Sequence, residues 1–179
     1  MERNAGVACF YFDFAVKEQS LEAILGLVLK QVVGGLDKVP EKIVKAFRDR
    51  GKVIGGQRLQ LKEIVGFLQE IMCARRTYIC MDALDEYPAR YRLKLLDLLN
   101  QVLQKAPGAR LFLTGRPHIR DEINKNLARR TVTRSITPSE SDIIIFLHAK
   151  LKEDTIPNAM DEGLEEEIIR NLPKMVSGM

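Results

Sequence analysis

Short apolar runs alternate with amphipathic stretches along most of the chain. The runs at residues 7–12, 78–81 and 111–114 have the length and the β-compatible composition of strands, and a β-branched run at 131–136 is a candidate for a further strand. Between them, apolar residues recur at helical spacing, most clearly from Tyr91 to Lys105. Strands that alternate with helices in this way predict an α/β fold with a doubly wound parallel sheet, whose strands are buried on both faces.

Capping and turn residues place the remaining helices. Ser20 is an expected N-cap for an apolar helix that Gly34 ends, and Pro40 opens a second helix that Gly51 ends. The stretch from Ser139 to Asp142 resembles a capping box that starts another helix. Besides the helix that ends at Lys105, the predicted helices cover about residues 21–33, 40–51, 59–74, 118–127, 143–151 and 164–172.

Composition places the chain among ordinary globular proteins. Its 179 residues are 46% hydrophobic and 29% charged, which suits one domain with a sizeable core and argues against disorder. The formal net charge is +4, and the basic residues are scattered, so we expect no specific nucleic-acid partner. The chain has no membrane-spanning stretch and no signal-peptide layout. We therefore expect no membrane partner and a cytoplasmic location.

The three cysteines suggest no disulfide framework. Cys9, Cys73 and Cys80 form no C-x-x-C pair, and two of them lie in apolar runs. That placement is typical of buried thiols in a reducing compartment.

Three carboxylates follow the central strand. Asp82, Asp85 and Glu86 come directly after the run at 78–81, at the strand end where open α/β sheets place their ligands. Carboxylates at that point suit a phosphate-bound Mg²⁺, which takes hard oxygen ligands and keeps several waters. The alternative is that these acids cap the next helix and interact with the positive end of its dipole.

An arginine follows the neighbouring strand. The segment L-F-L-T-G-R-P delivers Arg116 to the equivalent edge of the predicted sheet. A guanidinium at this position can contact a terminal phosphate bidentately and so report that the phosphate is present. The alternative is a structural ion pair between Arg116 and the acids that follow the previous strand.

Other polar residues have simpler explanations. His118 and His148 are far apart in sequence and have no partner at metal-ligand spacing. Asp13 follows a strand, where a turn or cap role is favoured over an approach to the ligand site. The basic residues between Lys42 and Lys52 fit a solvated helix face.

The acidic and arginine segments together resemble a known family. Y-I-C-M-D-A-L-D-E and L-F-L-T-G-R-P are similar to the Walker B and sensor 1 segments of a NACHT domain, in the STAND class of P-loop NTPases. Fungal proteins related to heterokaryon-incompatibility factors, whose module is described as nephrocystin-3-like, show the greatest likeness. F-Y-F-D-F-A and S-I-T-P-S-E-S-D-I-I resemble further segments of that module, so the likeness covers about residues 7–172.

The resemblance implies a function and roles for the site residues. Full-length relatives are ATP-controlled oligomerisation switches in fungal non-self recognition and cell-death signalling. ATP and Mg²⁺ would be the ligands, with Asp82 at the metal, Asp85 and Glu86 as catalytic residues that orient the attacking water, and Arg116 contacting the γ-phosphate. Residues 1–138 would form a partial NACHT nucleotide-binding core, and residues 139–179 the start of a truncated C-terminal helical region.

The chain departs from the family at the phosphate loop. It contains no G-x-x-x-x-G-K-[ST] segment, and its one Gly-Lys pair, Gly51-Lys52, is followed by Val53. We therefore expect a partial sheet that lacks the P-loop strand, weak or absent nucleotide binding, and no ATPase activity of the chain alone.

The missing strand has a consequence for the sheet. The resemblance places it between the Walker B and sensor 1 strands, which would then pair directly, leave a gap or be completed by another chain. The exposed sheet surface favours self-association or binding to related NACHT proteins. The alternative function is accordingly a catalytically inactive protein-interaction module.

Overall fold

A computed structural model describes residues 5–16, 19–51, 59–127, 131–153 and 162–176. The chain falls into two compact units, Met1–Val132 and Thr133–Met179. The first unit contains a parallel sheet with flanking helices, so the α/β class is confirmed. No helix in the described ranges is both long and apolar enough to cross a bilayer. The Lys52 and Val53 positions lie outside the described residues.

The sheet has three parallel strands in the described residues. Their bounds are β1 Gly6–Tyr11, β2 Thr77–Asp82 and β3 Ala109–Leu113, and they lie in the order β1-β2-β3. Tyr78 pairs with Val7 on one side and with Arg110 on the other, which fixes the register across the sheet. Three arrangements were left open for the second and third strands, and the structure shows direct pairing, because β2 and β3 form a ladder with no gap between them.

Five α-helices accompany the sheet in the described part of the first unit. Ser20 caps the first of them as expected, since its Oγ accepts a hydrogen bond from the Ala23 backbone N–H at 3.1 Å. The predicted helices are confirmed to within a few residues. Their bounds are α1 Leu21–Gly34, α2 Glu41–Gly51, α3 Leu61–Ala74, α4 Ala89–Lys105 and α5 Arg120–Asn126.

One face of the sheet carries the core. The crossovers from β1 to β2 and from β2 to β3 run in the same direction, and right-handed crossovers then place their helices on the same face. Contacts run from β1 to α1, from α1 to α3 and from α3 to α4. Sheet residues on this face, such as Ala8, Ile79 and Met81, are at most 2% exposed. They pack in one cluster with helix residues such as Leu25 and Leu68.

The opposite face of the sheet is exposed and apolar. Val7, Tyr11, Tyr78 and Phe112 are 57%, 65%, 39% and 63% exposed, although all lie in strands or at a strand end. The expectation that the strands are buried on both faces is therefore wrong for this unit. The reason is topological, since the crossovers that the sequence provides put their helices on the other side.

The outer edge of β1 is covered by a side chain. Gln31 of α1 accepts a hydrogen bond from the Cys9 backbone N–H at 3.0 Å and donates one to the Cys9 carbonyl at 2.8 Å. The amide thus occupies the donor and acceptor that a further strand would use at this residue.

The β-branched run at residues 131–136 is not a strand. Its backbone joins no sheet in the described residues, and Val132 and Ile136 are more than 90% exposed. The expectation of a strand here is wrong, because β propensity needs a partner strand and a surface to pack on.

In its described residues the second unit contains two helices, α6 Glu140–Glu153 and α7 Glu162–Val176. The predicted capping box begins α6. The Asp142 carboxylate accepts from the Ser139 backbone N–H at 2.9 Å, and the Ser139 hydroxyl accepts from the Asp142 N–H at 3.2 Å. The Ser139 hydroxyl also donates to Asp142 Oδ2 at 2.6 Å, and this bond, followed by the one from the Ser139 N–H, holds the pKa of Asp142 below its usual range.

Candidate functional site

The site lies where β2 and β3 end. After Asp82 the chain turns through Ala83, whose φ of 54° is in the left-handed region, and then forms a short 3-10 helix over residues 84–86. Two backbone bonds join this turn to the end of β3. The Thr114 N–H donates to the Met81 carbonyl at 3.0 Å, and the Leu84 N–H donates to the Thr114 carbonyl at 2.9 Å. The polar residues that follow the two strands are thereby brought to one place.

Asp82 is exposed and is oriented by Thr114. The Thr114 hydroxyl donates a short hydrogen bond to Asp82 Oδ1 and accepts one from the Ala83 N–H at 3.0 Å. One hydroxyl therefore fixes both the carboxylate and the turn that follows it. Thr114 was not among the predicted site residues, although its position next to Gly115 and Arg116 in the same motif was a usable signal.

Arg116 is ion-paired with the two other acids. Its Nε lies 3.4 Å from Asp85 Oδ2, a guanidinium nitrogen lies 3.2 Å from Glu86 Oε1, and its backbone N–H donates to Asp85 Oδ1 at 3.2 Å. The exposed fractions of these side chains are 5% for Asp85, 24% for Glu86 and 72% for Arg116. The structure therefore contains the ion pair that was given as the alternative for Arg116, between this arginine and the acids that follow the previous strand.

Gly115 permits this close approach. A Cβ built at residue 115 would lie 2.6 Å from Ile119 Cδ1 and 3.2 Å from Asp85 Oδ1. A larger residue would have to push aside either a buried isoleucine or the carboxylate that Arg116 contacts. The glycine of the L-F-L-T-G-R-P segment is thus required by space at this position.

Arg92 is a buried arginine that was not among the predicted site residues, and it holds the loop that carries two of the acids. Arg92 of α4 is 4% exposed and contacts Glu122 of α5 bidentately, at 2.7 and 2.9 Å. It also donates to the carbonyls of Tyr87 at 2.7 Å and Asp85 at 3.3 Å. The Arg92 hydrogen bond is the largest cause that lowers the pKa of Glu122. The loop that carries Asp85 and Glu86 is therefore tied to two helices.

An aromatic side chain anchors the other end of the same loop. Tyr87 is 3% exposed, packs with its ring centroid 5.1 Å from that of Phe12, and donates its hydroxyl to the Gln19 carbonyl at 3.0 Å. Burial is the largest cause that raises the pKa of this phenol, and Tyr91 and Glu22 raise it further. Tyr87 consequently stays a neutral donor and holds the loop against β1.

One family model matches the part of the chain that contains this site. Residues 1–116 match the family model described as nephrocystin 3, N-terminal, which is well over half of the chain. The chain belongs to the nephrocystin 3, N-terminal family. The matched residues of this family member contain all three strands and end at Arg116, so they include every predicted site residue. A search of curated proteins finds no match.

In this nephrocystin 3, N-terminal domain the four predicted site residues lie together. Asp82 meets Thr114, and Arg116 meets Asp85 and Glu86, all at the carboxyl edge of adjacent parallel strands. Asp13 has the turn role that was favoured, since its Oδ1 accepts from the Ala15 N–H at 2.8 Å. His118 lies in the first unit and His148 in the second.

The carboxylates at this edge suit a cation whose other ligands are waters and phosphate oxygens. Within the described ranges no three His, Cys, Asp or Glu side chains come together as a metal cage. Mg²⁺ needs no such cage, because it is commonly held by one or two carboxylates together with waters and phosphates. Asp82 is exposed and backed by a hydroxyl, and the Arg116 guanidinium is largely exposed, so the edge can receive a metal-bound phosphate.

Proposed function

We propose that this nephrocystin 3, N-terminal domain is the acidic half of a NACHT-type nucleotide site of the STAND P-loop class, in an ATP-controlled oligomerisation switch. The observation that carries the proposal is the meeting of Asp82, Asp85, Glu86 and Arg116 at one edge of β2 and β3. The proposed setting is cytoplasmic, in fungal non-self recognition and cell-death signalling, in line with the resemblance of the strand-end motifs.

The ion pairs suggest how the residues of this chain take part. Arg116 holds Asp85 and Glu86 in the described structure, so its guanidinium must exchange these carboxylates for a γ-phosphate when ATP binds. That exchange releases two carboxylates next to the phosphate, where they can orient a water molecule. Asp82 remains fixed by Thr114 and holds the metal. Mg²⁺, when bound, neutralises charge that develops on the phosphate oxygens.

The first test is titration of the purified chain with a fluorescent ATP analogue, with and without Mg²⁺. We expect weak, saturable, Mg²⁺-dependent binding that Asp82→Ala abolishes. Asp97→Ala is the matched control, because Asp97 is an exposed acid on α4 that bonds to Gln101. Equal binding by Asp82→Ala and the unsubstituted chain contradicts the proposed role of the acidic edge.

The phosphate loop gives an independent check. Sequencing the transcript upstream of the codon for Met1 will show whether a G-x-x-x-x-G-K-[ST] segment is encoded there. Such a segment, joined to the chain, should strengthen nucleotide binding by orders of magnitude, since its backbone N–H groups and lysine bind the phosphates. If the joined protein binds no more tightly than the chain alone, the NACHT assignment is wrong.

The exposed apolar face of the sheet favours a second candidate, a catalytically inactive protein-interaction module. Three aromatic residues on this face, Tyr11, Tyr78 and Phe112, are each at least 39% exposed. Taking ~200 Å² per aromatic side chain, they present roughly 300 Å² of apolar surface, which is in the range of functional patches. The partners would be further copies of this chain or related NACHT proteins.

Sedimentation velocity over a range of concentrations tests this second candidate. We expect self-association that Phe112→Ser reduces and that Phe47→Ser leaves unchanged. Phe47 is a close control, because it is 57% exposed on α2 against 63% for Phe112 on the sheet. A chain that stays monomeric at every concentration, or an equal effect of both substitutions, counts against self-association through this face.

A further inference from the structure

Two cysteines lie opposite each other on neighbouring strands. Cys9 of β1 and Cys80 of β2 are register partners in the parallel ladder. They belong to the exposed face of the sheet, where Cys9 is exposed and Cys80 is partly exposed. The expectation of buried thiols is therefore wrong for both residues. Cys73, the remaining cysteine, is exposed on α3, away from this ladder.

The spacing of the strands fits a covalent bridge. Neighbouring strands lie about 4.8 Å apart, whereas the Cα atoms of disulfides are usually about 4.4–6.8 Å apart. Register partners of a parallel ladder point to the same face, so the two Cβ atoms face the same side of the sheet. Cys9 is exposed, and exposed disulfides are more readily reduced than buried structural ones.

The backbone holds both thiols in place. Gln31 bonds to the N–H and the carbonyl of Cys9 from the outer side, at 3.0 and 2.8 Å, and β2 pairs with β1 on the inner side. Cys80 lies in the central strand and has a strand partner on each side, Cys9 and Phe112. Cys9 and Cys80 cannot move apart unless the hydrogen bonds between β1 and β2 break.

The two thiols differ in their access to solvent. Burial is the largest cause that raises the pKa of the Cys80 thiol, and the hydrogen-bonded thiol of Cys9 raises it further. Cys80 is consequently a neutral thiol while Cys9 stands in solvent. An oxidant from solution therefore meets Cys9 first and finds Cys80 within reach as the second reactant.

We propose that Cys9 and Cys80 form a reversible dithiol–disulfide switch on the exposed face of the sheet, oxidised by low-molecular-weight disulfides. The Cys9 thiolate attacks one sulfur of the small disulfide, which forms a mixed disulfide and releases one small thiol. Cys80 then loses its proton to water and attacks the Cys9 sulfur, which forms the Cys9–Cys80 bond and releases the second small thiol. Two protein thiols are oxidised and one small disulfide is reduced to two thiols.

The switch does not depend on the proposed nucleotide site. Oxidation would join β1 to β2 covalently across the long intervening segment, which restricts the unfolded chain and raises the stability of the first unit. It would also replace two thiols by an apolar disulfide among the aromatic residues of the exposed face.

The experiment is oxidation of the full chain with oxidised glutathione, followed by thiol counting, intact-mass measurement and peptide mapping without reduction. In the wild-type chain the mapped bond should join residues 9 and 80, while the exposed Cys73 thiol takes up glutathione as a mixed disulfide. In Cys73→Ser the free thiols should fall from two to none, with a mass loss of two hydrogens and no added glutathione. In Cys80→Ser the mixed disulfide at Cys9 should persist, since the second attacking group is absent. A bond that joins Cys73 to Cys9 or Cys80, or a Cys73→Ser chain that keeps both thiols, overturns the proposal.

Thermal unfolding provides a second readout on the same samples. The oxidised Cys73→Ser chain should unfold at a higher temperature than its reduced form, and a thiol reductant should reverse the shift. Cys9→Ser removes a thiol at an exposed position, so it should fold and show no oxidation-dependent shift. An equal shift in Cys9→Ser, or none in Cys73→Ser, contradicts a bridge between the two strands.

Discussion

Two arginines near the ends of β2 and β3 make similar ion pairs in very different surroundings. Arg92 is 4% exposed and is bound bidentately to Glu122, whereas the side chain of Arg116 is 72% exposed and is shared by Asp85 and Glu86. A buried pair that loses one partner is costly, but an exposed pair exchanges easily with water. Arg92 thus fixes the loop, and Arg116 is the cation that remains free to change partner.

The largest effect is expected for Arg92→Ala. The substitution removes the bonds to Glu122 and to the Tyr87 carbonyl, and should reduce the free energy of unfolding by roughly 3 kcal/mol, the lower end for a broken buried pair. The lower end applies because Glu122 is 30% exposed and can be hydrated. Urea unfolding measures the change, with Lys94→Ala on the exposed side of α4 as the control. A loss no larger than that of the control would falsify the structural role of Arg92.

A smaller loss of unfolding free energy is expected for Gly115→Ala. This substitution tests whether the close approach of Arg116 to Asp85 requires a glycine at residue 115. The added Cβ would lie 2.6 Å from Ile119 Cδ1, and such overpacking costs about 1–3 kcal/mol. Gly66→Ala is the control, since a Cβ there meets nothing within 4 Å and the helix should gain up to about 1 kcal/mol. If both substitutions stabilise the protein equally, Gly115 is not required by space.

Acid should weaken the buried pair in a definite pH window. The folded-state pKa of Glu122 is lowered, chiefly by the Arg92 hydrogen bond, so its contribution is present above the ordinary value of 4.5 and is lost as the pH falls through the folded pKa. Glu63, held by Arg50, has the same sign, so the wild-type profile alone does not isolate Glu122.

Urea midpoints measured from pH 7 to pH 3 for the wild type and Glu122→Gln separate the two contributions. The variant should lose less stability over this range, because the substituted amide carries no proton-linked charge while the Glu63 contribution is unchanged. Parallel profiles for the two proteins contradict the role of the Arg92–Glu122 pair.

The smallest effect on stability is expected for Arg116→Ala. The Arg116 guanidinium is largely exposed, and Asp85 keeps its hydrogen bond from the backbone N–H of residue 116, so the free energy of unfolding should fall by no more than about 1 kcal/mol. Nucleotide binding should nevertheless fall if Arg116 contacts a phosphate. Arg120→Ala, at the start of the neighbouring helix α5, is the control for a lost charge. A large loss of stability in Arg116→Ala would mean that this pair, like that of Arg92, is structural.

The sequence predicted the meeting of the candidate residues at one edge better than it predicted which faces of the sheet are covered. Asp82, Asp85, Glu86 and Arg116 meet because the carboxyl ends of adjacent parallel strands share one edge, and that rule requires only the strand positions. Helix bounds were also predicted well, since caps such as Ser20 mark them locally.

Three features escaped prediction for physical reasons. An apolar strand does not reveal which of its faces is covered, because that depends on the direction of the crossovers, so the exposure of Tyr78 and Phe112 was missed. Arg92 was not singled out, because its partner Glu122 lies on another helix 30 residues along the chain. The run at residues 131–136 has no partner strand in the part of the chain that the structure describes, although its composition requires one.

The side chain of Gln31 has a consequence for growth of the sheet. It satisfies the outward N–H and carbonyl of Cys9 in the middle of β1, whereas the outer edge of β3 has no strand partner in the described residues. A further strand can therefore add beside β3 without displacing any of these bonds, but beside β1 it must first remove the amide. Extension of this sheet is thus directional.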